Sequence, residues 1–302
     1  MSEPLLAPPA ARQGPGPMPQ GVVDALDLMV VRLVAHALPG DRRAVGVGAG
    51  SELAQLRPYE VGDDVRQIDP AATARTGTPH VRLHVPERTL ITWLLIDVSA
   101  SMAFGTAQRL KADVAEGAAL VLGRLAIRRA GSLGIVAFGA GSARVLAPRG
   151  SKPGLIALRR TLADGVAVDG RGDPDALADA LARVGRLARQ PCLIAVISDF
   201  RDQHDWARPL GALRMRHSVL AVEIGDPREA ELPDVGRLAL VDPETGARIE
   251  VDTSQRRLRA RFAELEGKRR DELVREFRRL RIEHLTLSTE GDWLRDLGRR
   301  LA

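Results

Sequence analysis

Residues 90–102, Leu-Ile-Thr-Trp-Leu-Leu-Ile-Asp-Val-Ser-Ala-Ser-Met, constrain the fold more than any other stretch of this chain. The run Leu90 to Ile96 is almost continuously apolar, then breaks into an acid and two alternating hydroxyls, Asp97, Ser99 and Ser101. Such a run is long enough for a strand covered on both faces and too short for a buried helix. In an open parallel sheet, functional groups gather at the carboxyl ends of the strands. The three side chains are therefore placed to present small oxygen ligands to one point. Hard divalent cations such as Mg²⁺ take ligands of this kind, with waters completing the shell. A plainer alternative stands beside this one: short polar residues after a strand also cap the helix that follows.

From Thr89 onward strand and helix periods alternate. Strands are predicted at 90–96, 132–138, 144–146, 192–198, 217–224, 238–241, 248–251 and 282–288. Helices are predicted at about 108–129, 153–163, 174–189, 204–215 and 254–280, with a last one from Asp292. Alternation of this kind implies right-handed crossovers and a mostly parallel, doubly wound α/β sheet. The segment Asp-Pro-Glu-Thr-Gly at 242–246 reads as a hairpin turn between two short strands. Upstream, three regions are expected. Residues 1–20, rich in Pro, Gly and Ala, read as a disordered tail, and apolar spacing over 22–37 predicts a helix. Residues 41–89 form a Gly- and Arg-rich extension, packed on the sheet, with one strand at 80–85. The domain reading is a tail at 1–20, a helix and extension at 21–89, and the α/β domain at 90–302.

A second apolar strand ends in an acid at Val196-Ile197-Ser198-Asp199-Phe200. If the two strands are neighbours, Asp97 and Asp199 approach one crevice, and two carboxylates that close repel unless a cation lies between them. Asp199 has its own alternative as a helix cap.

The Asp-x-Ser-x-Ser pattern resembles the metal-ion-dependent adhesion site of von Willebrand factor A domains, and the Asp at the second strand end extends that resemblance to another loop. The third loop departs from it. Where that family has a Thr, this chain reads Asp169-Gly170-Arg171-Gly172-Asp173-Pro174-Asp175. Counting back from the following helix puts Asp175 at the Thr position, with Asp173 as the alternate, or leaves Asp175 as a helix cap. The stretch Arg57-Pro58-Tyr59-Glu60-Val61-Gly62-Asp63-Asp64-Val65-Arg66-Gln67-Ile68-Asp69 carries a more specific resemblance. It is similar to the signature of the bacterial "domain of unknown function 58" family, which precedes a von Willebrand-like domain. The likeness continues through Asp97–Ser101, Ser198-Asp199-Phe200 and 242–246, about residues 40–255 in all. Pro70 stands where that family usually has Trp. The Arg and Asp residues of this stretch (Arg57, Arg66 and Arg75 among Asp63, Asp64 and Asp69) are expected to form an ion-pair network that holds a loop's shape.

Composition narrows the partners. Aromatics are 3% of the 302 residues, so the core must be built from Leu, Val, Ala and Ile. The net charge is +5, and its basicity is almost all Arg, with Lys111, Lys152 and Lys268 the only lysines. With Tyr59 the single tyrosine, the aromatic platform of a single-strand nucleic-acid binder is not available. The Arg/Glu-rich segment 254–280 reads as a solvated amphipathic helix. Cys192, alone in an apolar run, reads as a small core residue in a reducing compartment. No apolar run reaches membrane length. The expectation is a cytoplasmic protein.

The resemblance implies a non-enzymatic, metal-dependent protein-interaction module, an adaptor for a MoxR-type AAA ATPase and its client proteins. Asp97, Ser99, Ser101, Asp175 and Asp199 would hold a divalent cation, Mg²⁺ first, with Ca²⁺ or Mn²⁺ as alternatives. The competing function is a metal-dependent phosphoesterase using the same carboxylates. No P-loop, nucleophile elbow or zinc-helix motif is present in the sequence.

Overall fold

The computed structural model describes residues 6–7, 52–85, 91–106, 108–128, 131–170, 172–201 and 205–301. They belong to two compact units, Pro39–Thr89 and Leu90–Ala302, with Leu6–Ala7 part of the second. The helix expected over 22–37 lies outside the described residues. Leu6–Ala7 (β1), within the expected tail, pairs antiparallel with Val166–Ala167 of the second unit.

In the first unit, Glu52–Pro58 (β2) pairs antiparallel with His80–Val85 (β3). Between them lie a 3-10 turn, Val65–Gln67, and a short helix, Pro70–Thr76 (α1). Arg57 donates to Asp63 at 2.6 Å, one pair of the expected network. Asp64 and Asp69 also accept the backbone N–H groups of Arg66 and Ala72 and so cap the two helical turns. Aspartate is favoured in that role because its short side chain reaches the unsatisfied N–H groups of a first turn. Pro70 follows directly at the first helical position, where a missing N–H costs nothing.

The second unit opens with Ile91–Asp97 (β4), followed by Lys111–Arg128 (α2), Ser132–Phe138 (β5) and Arg144–Gly150 (β6). Next come Ser151–Ala163 (α3), Val166–Ala167 (β7), Ala176–Leu187 (α4), Leu193–Ser198 (β8), Ala207–Arg214 (α5) and Ser218–Gly225 (β9). Arg237–Val241 (β10), Arg248–Asp252 (β11), Arg256–Leu280 (α6), Glu283–Ser288 (β12) and Trp293–Leu301 (α7) complete it. The central sheet has six strands in the order β12-β9-β8-β4-β5-β6, parallel throughout except for β6 at one edge. The last is longer than the 144–146 expected, because its polar, half-exposed residues hide a strand period.

Side chains alternate across a strand, and β4 shows what that does here. Leu94 and Ile96 enter one core with α2, α3 and α7, while Trp93 and Leu95 enter another with α4, α5 and α6. Burying each such side chain is worth about 1.5–3 kcal/mol, so the continuous apolar run is what a doubly covered strand requires. Helix α6 matches its amphipathic reading: Leu273 and Phe277 are buried, while Lys268–Glu264 and Arg279–Glu276 pair along its outer surface. No helix among the described residues is long and apolar enough to cross a membrane.

From β4 the chain crosses to β5 on one side and later returns to β8 on the other. That reversal is the switch point at which a parallel sheet opens a crevice at its strands' carboxyl ends. Asp97 ends β4, and Ser198 ends β8 with Asp199 directly after it.

Candidate functional site

At the switch point Asp97 is only 4% exposed. Its Oδ1 accepts the Ser99 N–H at 2.9 Å, and its Oδ2 accepts the Ser198 hydroxyl at 2.5 Å. Ser99 and Ser101, both buried, hold their hydroxyl oxygens 3.0 Å apart. Ser99 stands at the cap position of a 3-10 turn, Ala100–Ala103, yet its side chain makes no capping bond. The hydroxyl faces its partner at Ser101 instead, which separates this arrangement from ordinary helix capping. The loop leaving β5 comes close from the side. Gly139 has φ 98°, and a Cβ there would lie 2.7 Å from the Ser99 Cβ. Only glycine serves both requirements.

Asp199 is buried as well, and it has a cation. Lys111, at the start of α2 and 0% exposed, donates to Asp199 Oδ2 and to Glu229 Oε1, each at 2.6 Å. The second oxygen of Asp199 accepts the Arg201 N–H at 3.1 Å. The two acids consequently differ. Burial, then the charge of Asp199, pushes the Asp97 carboxyl up to about 7, against the pull of Ser198 and Ser99. Burial acts on Asp199 too, but the Lys111 ammonium outweighs it and holds that carboxyl below its ordinary value, helped by the Ser101 hydroxyl.

A third acid enters from far along the chain. The turn between β10 and β11 sends Glu244 to the Ser101 N–H, which donates to Glu244 Oε1 at 3.1 Å. Asp242 shapes this turn by accepting the Glu244 N–H at 3.0 Å and the Thr245 hydroxyl at 2.6 Å. Backbone bonds then fasten it to the third loop: Gly170 N–H donates to Pro243 O at 2.8 Å and Gly172 N–H to Glu244 O at 2.9 Å. A Cβ on Gly172 would lie 2.2 Å from Glu244 Oε2, so this glycine is what lets the acid lie flat against the loop. Burial, with the Asp199 charge behind it, pushes the Glu244 carboxyl up.

The structure therefore brings Asp97, Ser99, Ser101 and Asp199 together as expected from the sequence. Asp175 occupies the N-cap position of α4, exposed, without a side-chain capping bond; its N–H donates to Asp173 Oδ1 at 3.1 Å. Among the described residues, no three or more His, Cys, Asp or Glu side chains form a ready-made metal cage. The gathered set holds hydroxyls as well as carboxylates. Sequence reasoning misses Lys111, Ser198, Glu229 and Glu244. Lys111 carries a signal, as a rare lysine in an Arg-dominated chain just after the first loop. A lysine's compact ammonium reaches both carboxylates from a single atom.

Elsewhere, Cys192 is buried with its Sγ 3.3 Å from His217 Nδ1, and burial pushes its thiol up to about 11. That is a packed core thiol.

The family model described as "Protein of unknown function DUF58" matches residues 55–272. An uncharacterized protein of Mycobacterium tuberculosis is 40% identical over 279 residues, which cover 92% of this chain and 87% of that protein. Solved structures similar to it include the conserved hypothetical protein BatB from Bacteroides thetaiotaomicron, with TM-score 0.45 and 15% identity over 70% of this chain and 97% of that one. The SpRpn10 VWA domain is similar with TM-score 0.34 and 18% identity, over 45% of this chain and 76% of that one. With a doubly wound, mostly parallel sheet and a family match running across most of its length, this chain belongs to the DUF58 family.

Proposed function

We propose that the chain is a protein-interaction module whose contact point is a divalent cation held at the switch point of the sheet. One observation carries this reading. Two buried carboxylates end adjacent strands with two hydroxyls beside them, and only one of the two, Asp199, is matched by a buried ammonium. Among the described residues the partners of Asp97 are neutral: the Ser99 N–H and the Ser198 and Ser99 hydroxyls. A buried carboxylate pressed by a second one is stabilised by a cation placed between them.

The donors suit a hard ion. Asp97, Ser99 and Ser101 offer oxygen only, and Asp199 completes the negative side of the site; Mg²⁺ is the first candidate, with Ca²⁺ or Mn²⁺ as substitutes. Asp175 or Asp173 would add a carboxylate from the third loop. When bound, such an ion supplies an open position for a carboxylate of another protein. The chain's own residues do the positioning. Ser198 and the Ser99 N–H fix the rotamer of Asp97, and Lys111 keeps Asp199 ionised and in place. The partner implied by the family resemblance is a MoxR-type AAA ATPase with its client proteins, and the role is that of an adaptor in their assembly or activation.

The non-enzymatic reading rests on Lys111. Its ammonium, at the rim where a phosphoesterase would place a proton donor, is fully enclosed and held by two carboxylates. The test is a pull-down of a MoxR-type ATPase from the same genome, with Mg²⁺ and with chelator. Binding that needs Mg²⁺ and disappears in Asp97→Ala, while the variant keeps its fold by circular dichroism, supports the reading. Binding unchanged by chelator and by the substitution rejects it, and phosphoester turnover lost in Asp97→Ala would replace it with the enzyme.

A further inference from the structure

Two side chains just beyond the first loop of the switch point lack what their surroundings call for. Phe104 is 39% exposed, the most exposed aromatic side chain of the chain; all the others are buried or half-buried. Arg109 is half-buried. Its Nε is enclosed without a hydrogen-bond partner, and its guanidinium makes no ion pair among the described residues. Enclosed donors left unpaired are rare in folded chains, and each asks for an explanation. Two other such nitrogens occur among the described residues, and their surroundings account for them. Arg201 Nε has Glu229 Oε1 at 3.2 Å, and Trp293 Nε1 belongs to an indole packed into the hydrophobic core. Arg109 has neither excuse.

Both side chains stand on a braced loop. The Phe104 N–H donates to Ser101 O at 3.1 Å, and the Lys111 N–H donates to Phe104 O at 2.8 Å, which closes the neck. Inside the neck a Cβ on Gly105 would lie 2.3 Å from the Arg109 carbonyl oxygen, so the backbones meet where only glycine fits. Thr106 is tied to Asp226 twice, by its N–H at 2.8 Å and its hydroxyl at 2.7 Å. Gln108 Oε1 accepts the Gly291 N–H at 3.2 Å. The loop is thus fastened to the turns after β9 and β12, as binding loops on a rigid scaffold are. Whatever contacts Phe104 and Arg109 has little ordering of their backbone to overcome.

We infer that this loop recognises an acidic segment of another protein: Arg109 takes a carboxylate directly, and Phe104 covers a neighbouring apolar side chain. Aromatic and arginine side chains held in this way carry most of the energy at protein contacts. The inference goes beyond the proposed cation site, because a guanidinium binds a carboxylate with no ion between them. The charge of Arg109 also fixes the chemistry of the occupant. A basic segment would set like charges against each other, and a purely apolar one would bury the guanidinium without an acceptor.

The test uses the full chain in chelator, so that no ion contributes, and a display library of random peptides as the probe. The selected peptides are expected to share an Asp or Glu beside a large apolar residue. Phe104→Ala and Arg109→Gln should each weaken their binding by about tenfold or more. Arg109→Glu reports what a merely structural role of the loop would not move: the acidic peptides lose binding, and versions with Lys in place of the acid recover it. Selected peptides with no shared acid, or acidic peptides that bind all three variants as tightly as the wild type, overturn the inference. With no metal in the assay, neither result bears on the cation site, which the Mg²⁺ titration of the wild type decides separately.

Discussion

Lys111 Nζ lies 2.6 Å from Asp199 Oδ2, with neither side chain more than 3% exposed, and 2.6 Å on its other side is Glu229 Oε1. The ammonium of α2 therefore ties the end of β8 to the loop after β9. It neutralises one of the two acids at the switch point; the other, Asp97, has dipoles for its partners among the described residues.

That arrangement predicts a large cost for removing the ammonium. Lys111→Met keeps most of the stem but leaves the buried Asp199 without its ammonium and Glu229 with Arg201 as its remaining cation. Breaking a buried pair from one side costs about 3–5 kcal/mol. Urea unfolding of the variant should show a loss of that order; a loss below about 1 kcal/mol would mean that the acids find other partners or water.

Asp97→Asn should behave in the opposite way when no metal is present. The charge at Asp97 is opposed by burial and by Asp199, so a neutral isostere that still accepts the Ser99 N–H should leave metal-free stability unchanged or raise it. Thermal unfolding in chelator checks this. A drop in Tm of several degrees would show that the charge at Asp97 is already balanced within the chain.

Gly139→Ala tests the close approach beside Ser99. The substitution forces a side chain into a left-handed backbone and against the Ser99 Cβ, 2.7 Å away. Strain of this kind costs about 1–3 kcal/mol. The expected result is a loss of stability in that range together with weaker Mg²⁺ binding, because Ser99 must move. Full stability with full metal affinity would show that Gly139 plays no part in the site.

Away from the switch-point acids, acid stability should depend on Asp226. Burial raises its carboxyl, but the Thr289 and Thr106 hydroxyls and the Thr106 and Arg228 N–H groups prevail and hold it below the ordinary value. A group depressed in the folded state adds stability above its unfolded pKa of about 4. That contribution disappears as pH falls through the lower folded value. Thr289→Val should therefore weaken the protein at neutral pH and flatten its loss of stability below about pH 4. A variant whose pH profile runs parallel to that of the wild type would contradict this.

Residues whose roles are local are legible in the amino-acid sequence. Leu90–Ile96 and Cys192–Ser198 read as doubly buried strands because their composition leaves no polar face. Asp97, Ser99 and Ser101 lie on one short loop, so their spacing alone gathers them. The capping roles of Asp64 and Asp69 are harder to read, since they depend on where the adjacent helical turns start. Lys111 and Glu244 are out of reach for a different reason. Their partners lie 88 and 143 residues away, and only the strand order brings them to the same rim. The turn at 242–246 is readable as a turn; where it points is not. For the third loop, counting selects Asp175, and the structure instead draws attention to Gly172, where a side chain would collide with Glu244.

The most direct measurement is calorimetric titration of chelator-stripped protein with Mg²⁺, set beside the same titration of Asp97→Ala. A saturable isotherm for a single ion in the wild type, absent from the variant, is the predicted result. An isotherm that survives the loss of Asp97, or a wild type that shows no binding to Mg²⁺, Mn²⁺ or Ca²⁺, would contradict the account.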